Sequence, residues 1–124
     1  MHMKIDDSAD GYVIVSLTVV HADPIAELAV YETFYERVTD GSHWYQLGTL
    51  SFSEKDAARR AEELDRTILT LIDRLDSAPT ELLRSEEVFT RLFITFPHGA
   101  ETISASTLRR LADVGATIWL DFLE

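Results

Sequence analysis

"SEKDAARRAEELDRTILTLIDRL", residues 53–75, decides how this chain folds. Ala57, Ala61, Leu64, Ile68, Leu71 and Leu75 recur at alternating spacings of four and three. That spacing lines one face of an α-helix with apolar side chains. Ser53 is placed to cap the helix, with Asp56 at the capping-box position. Asp56/Arg60 and Glu62/Arg66 stand four apart on the other side, where such pairs add roughly 0.2–0.5 kcal/mol each. The stripe resembles a heptad repeat, but strand-like segments flank it on both sides. A helix packed on a sheet is therefore expected rather than a coiled coil.

Upstream, "GYVIVSLTVVH" (11–21) reads as a strand. Val13, Val15, Leu17 and Val19 make one strictly apolar face, and Tyr12, Ile14, Ser16, Thr18 and Val20 make a mixed one. A strand with apolar residues on both sides belongs in the middle of a sheet. In "HADPIAEL", Asp23 before Pro24 reads either as the start of a short helix or as a turn, so 22–30 stays open between helix and strand. From Leu28 the pattern alternates: Leu28, Val30, Phe34 and Val38 against Tyr31, Thr33, Tyr35 and Arg37. Glu32 and Glu36 break the apolar face, as on an edge strand. Asp40-Gly41 then reads as a hairpin turn, and "WYQLGTLSF" (44–52) as the returning strand.

Downstream of the helix, Pro79 closes the segment and "TELLRSEE" offers one more helical turn. "VFTRLFITF" (88–96) is a strand whose cleaner apolar face is Val88, Leu92, Ile94 and Phe96. "SASTLRRLADVG" (104–115) is a short helix, capped by Ser104 or Ser106 and ended by Gly115. "ATIWLDFL" (116–123) is the last strand. The expected fold is α+β: a largely antiparallel single-layer sheet of about five strands, ordered β-β-β-α-β-α-β. Two helices pack on one face, and one parallel pairing is allowed. No linker or repeat divides the 124 residues, so one domain is expected over 1–124. Residues 1–10 are expected to be flexible, and Met1-His2 resemble a vector remnant.

The C-terminal part resembles the bacterial DUF4279 family. The likeness rests on Ile103, Ser104, Leu108, Leu111, Ala112, Gly115 and Ala116, then Ile118 to Phe122, in "ISASTLRRLADVGATIWLDF". Trp44 with Leu47 is similar to the start of that family's middle strand, so the resemblance covers about residues 44–124. It implies an α+β fold and carries no catalytic residues with it.

Composition narrows the function. The formal charge is −11, and residues 1–40 hold eight acidic residues against two basic ones. Such a field repels phosphate backbones, so direct nucleic-acid binding is not expected. It attracts a basic protein. Cysteine is absent, which excludes thiolate chemistry and disulfides. No apolar stretch approaches the length of a membrane span. With no signal-like segment at the start, a cytoplasmic location is expected.

Chemical constellations are sparse. His21, His43 and His98 fall near strand ends, and with Asp23 or Glu101 they could ligate zinc or a similar ion. No pair has the close spacing of a preformed site, so His21 and His98 are the weak metal candidates and no cofactor is expected. Glu32 and Glu36, four apart on a strand, stand about 13–14 Å apart, beyond the reach of a glycosidase pair. Ser42 and His43 are neighbours on opposite sides of a strand, so adjacency does not make them a dyad. Asp121 lies in an otherwise apolar strand. No nucleophile elbow, P-loop, dinucleotide or zincin motif occurs.

The strongest signal is "YETFYER" followed by "HWY", in which aromatic and acidic residues alternate. The expected binding surface is Glu32, Phe34, Tyr35, Glu36, His43 and Tyr45. The leading expectation is a non-enzymatic acidic module that binds a basic protein, in concrete form an immunity-type inhibitor of a toxin. A small enzyme or ligand- or metal-binding domain using strand-end histidines is the alternative. A self-associating module, with the edge strand pairing in a homodimer, is the third.

Overall fold

The computed structural model describes residues 12–33, 41–97 and 101–122. Strand β1 (Tyr12–His21) leads into a 3-10 helix (Ala26–Tyr31) and a two-residue strand β2 (Glu32–Thr33). Strand β3 (His43–Ser53), helix α1 (Ala57–Asp73) and a single turn α2 (Thr80–Leu83) follow. Strand β4 (Phe89–Phe96), helix α3 (Ala105–Asp113) and strand β5 (Ala116–Phe122) complete the order. The five strands form one sheet in the order β2-β3-β1-β4-β5. This is the α+β architecture expected from the pattern.

β1 is central, as its two-sided apolar character required. It pairs antiparallel with β3 on one side and with β4 on the other. β4 and β5 are parallel, with Phe93 opposite Trp119. A parallel pair needs a crossover, and helix α3 lies within it.

One face of the sheet carries the core. Val13, Val15, Leu17 and Val19 of β1 meet Leu92, Ile94 and Phe96 of β4, all buried. Leu64, Ile68, Leu71 and Ile72 of α1 and Leu111 of α3 close over them. The expected stripe holds from Leu64 to Leu75, whereas Ala57 at its start is exposed.

A β-bulge organises β3. Leu17 pairs with Gly48 and Thr18 with Gln46, so Leu47 is the extra residue. The bulge shifts the alternation by one. Tyr45 and Leu47 before it, and Leu50 and Phe52 after it, therefore all join the same core. Gly48 is glycine for space: a Cβ there would run into the Arg74 guanidinium and lie 2.9 Å from Leu71 Cδ2. Arg74 Nη1 instead donates to the Leu47 carbonyl beside it.

Four local expectations are corrected. The cap of α1 is Asp56, which accepts the Arg59 N–H at 2.9 Å, while Ser53 ends β3. Residues 26–31 form a 3-10 helix, so the open 22–30 resolves towards helix and the strand alternation expected from Leu28 does not begin there. Leu28 is buried there, and Val30, expected on the same apolar face, is exposed. The ion pairs of α1 are not the i,i+4 set: Arg60 pairs with Glu101 and Arg66 with Glu63. Ser104 does cap α3, accepting the Thr107 N–H, and Gly115 closes it at φ 68°.

Candidate functional site

His43 and Glu32 meet at one end of the sheet. Glu32 pairs with Tyr45 in the β2/β3 ladder, and this brings its carboxylate Oε2 to 2.8 Å from His43 Nδ1. Both side chains are partly accessible. Phe34, Tyr35 and Glu36 lie outside the described residues. Gly41, at φ 83°, has the left-handed backbone expected of a turn glycine.

Tyr45 is not a surface residue. It is fully buried, and its hydroxyl accepts the Ile25 N–H at 2.6 Å. It was expected on the binding surface because aromatic residues flank it in sequence. Its position opposite Val19 places it in the core instead. It anchors the start of the 3-10 helix, where Ile25 has no side-chain cap.

The described histidines, His21 and His43, are held by local partners. His21 and His43 are register partners across β1 and β3. His21 is buried, and its Nδ1 lies 2.8 Å from the Asp23 carbonyl oxygen, closing the turn locally. β4 runs antiparallel to β1, so it ends, before His98, at the opposite end of the sheet from His21. His98 itself is outside the described residues. Glu101 is committed elsewhere: both of its oxygens accept from Arg60 Nε, at 2.9 and 2.8 Å. Among the described residues no three acidic or histidine side chains converge as metal ligands.

The second face of the sheet is where the structure adds most. Among the described residues helices cover only the core face, and Tyr12, Ile14, Phe89 and Trp119 on the other face are exposed. Arg91 lies on it, near the start of β4. Its guanidinium carbon sits 4.0 Å from the Phe89 ring centroid, 5.3 Å from Phe93 and 5.2 Å from Trp119. Phe93 and Trp119 are themselves in contact, with centroids 5.9 Å apart. Cation–π contact with these rings holds the guanidinium, and no carboxylate among the described residues pairs with it. To the side, Thr18 Oγ1 donates to Gln46 Oε1 at 2.7 Å, and Gln46 Nε2 donates to Thr49 Oγ1 at 3.0 Å.

This cluster was missed in the sequence. Its signal was present: Phe89, Arg91 and Phe93 alternate in "FTRLF" opposite the cleaner apolar face. Asp121 also lies on this side, opposite Thr95, and is exposed.

No helix among the described residues is long and apolar enough to cross a membrane. Comparison with protein-family models, curated proteins and solved structures finds no match for the chain.

Proposed function

We propose that this chain is a non-enzymatic protein-binding module that docks a basic partner on the uncovered face of its sheet. The observation that carries the reading is the cluster of Phe89, Arg91, Phe93 and Trp119 on that face, with Tyr12 exposed towards the other end of the same face. Tyr, Arg and Trp are the residue types that dominate binding hot spots. A rigid sheet presents them with little ordering cost on binding.

The net charge of −11 supplies the second half of the reading. Long-range attraction steers a basic protein onto the chain, and the aromatic face holds it by desolvated contact. Glu32 with His43 lies on the helix side of the β2/β3 edge and contributes to the acidic field rather than to that contact. An immunity-type inhibitor of a basic toxin is the concrete form of this activity. The likeness of residues 44–124 to the DUF4279 family is compatible with it and adds no chemistry.

A photo-reactive phenylalanine at position 89, introduced into the full chain in its native host, tests the reading. The expected product is a crosslink to one basic protein, lost when Tyr12→Ala and Trp119→Ala are combined. Crosslinking to an acidic protein, or no crosslink at all, overturns it.

A further inference from the structure

β5 is an edge strand that exposes apolar side chains on both of its faces. Trp119, on the helix-free side, is 53% exposed. Leu120 and Phe122 follow Ile118 on the helix side, and they are 48% and 50% exposed. A partner lying on one face would cover one set and leave the other in water. Only a strand added to the edge covers both. The outer edge of β5 has no paired strand among the described residues.

Edge strands are normally guarded by shortness, charge, proline or a bulge. β5 has seven residues, regularly paired to β4, with no proline, no basic residue and one carboxylate, Asp121. Its open edge is a template for another strand.

We infer that the strand it accepts is β5 of a second copy, antiparallel, about a two-fold axis through Trp119. Such an axis stands perpendicular to the sheet, so residues opposite one another share a face. One register uses the whole strand: Trp119 opposite Trp119, Ile118 opposite Leu120, Ala116 opposite Phe122 and Thr117 opposite Asp121. Each match is complementary. The large Phe122, stacked on Phe96 at 5.1 Å, meets the smallest residue of the strand. Ile118 and Leu120 form aliphatic cross-strand pairs, and the two tryptophans form an aromatic one.

Charge selects the same register. Arg91 is the neighbour of Thr117 in the β4/β5 ladder. Asp121 of the second copy then lies two strands from Arg91, about 9–10 Å between backbones, which the two side chains can span. The two-fold repeats the pair, as an isologous interface demands. A shift by two residues sets Trp119 against either Asp121 or Thr117 and leaves strand ends unpaired. The joined sheet has ten strands, with both uncovered faces on one side. Two partner-binding platforms are thereby presented together.

Sedimentation of the full chain tests this from micromolar to submillimolar concentration. The expected result is a monomer–dimer equilibrium that tightens with salt, because screening relieves the repulsion of two chains of charge −11. Leu120→Lys is expected to raise the dissociation constant at least about tenfold, since it puts a charge into the apolar contact. The chain has no native cysteine, so Trp119→Cys alone reports the two-fold. Mild oxidation should link it into a dimer, while Val30→Cys, exposed on the 3-10 helix, should not link. A monomer at every concentration overturns the inference. So does a dimer indifferent to Leu120→Lys, or equal linking at 119 and 30.

Discussion

Arg60 and Glu101, 41 residues apart, close an ion pair in which Nε stands 2.9 and 2.8 Å from the two carboxylate oxygens. The Glu101 side chain is only 6% exposed. The same guanidinium donates from Nη1 to the carbonyls of Glu54 and Lys55, at 3.0 and 3.1 Å. One residue therefore ties the start of α1, the end of β3 and the segment that leads into α3. Asp65 adds a second tie by accepting the Ser104 N–H at 3.1 Å.

Removing Arg60 strands a buried carboxylate. Arg60→Ala is expected to cost about 3 kcal/mol in urea unfolding, at the lower end of what breaking a buried pair costs because Arg60 keeps some exposure. Arg60→Met combined with Glu101→Gln should recover part of that loss, since no lone charge remains. Equal losses in the single and double variants would show that the pair is not what holds the segment.

Tyr45→Phe deletes one hydroxyl in the core. The Ile25 N–H then loses its buried acceptor, at a cost of about 1–3 kcal/mol. Hydrogen exchange at the Ile25 amide should accelerate more than exchange at Val15, in the centre of β1. Unchanged exchange at Ile25 would mean that the bond contributes nothing to anchoring the 3-10 helix.

Gly48→Ala asks for room that does not exist. The added Cβ would displace Arg74 from the Leu47 carbonyl and press on Leu71. The expected loss is about 1–3 kcal/mol, typical of overpacking. Arg74→Ala placed beneath it should relieve part of the strain, which a thermal-unfolding comparison of the two variants would detect.

The Glu32–His43 contact is a weak stabiliser. Both side chains keep solvent access, at 22% and 31%, so screening discounts the pair. A double-mutant cycle with Glu32→Gln and His43→Ala should give coupling under about 1 kcal/mol. A larger value would make this end of the sheet a structural feature rather than a contact surface.

Much of this fold is legible in the residues. β1, β4 and β5 each alternate cleanly, and the stripe of α1 holds its period from Leu64 to Leu75. The bulge in β3 is not legible, because an extra residue at Leu47 reverses the parity of everything after it. "AELAVYE" misleads for a different reason. Leu28 and Tyr31 are three apart, and that spacing suits a 3-10 turn, but Leu28 and Val30 also fit a strand. Tyr45 was placed on the surface by its neighbours in sequence, whereas its partner across the ladder sets its side. The Arg91 cluster was hidden because a pattern on one strand does not reveal whether a second layer will cover it.

On the proposed reading the uncovered face, within an acidic field, docks a basic protein. Stopped-flow association of the full chain with the partner captured at position 89, followed across ionic strength, tests it most directly. The association rate is expected to fall at least about tenfold from low to high salt. Trp119→Ala and Tyr12→Ala are each expected to weaken binding by at least about 1 kcal/mol through faster dissociation. An association rate flat with salt, with affinity unchanged in both variants, would contradict it.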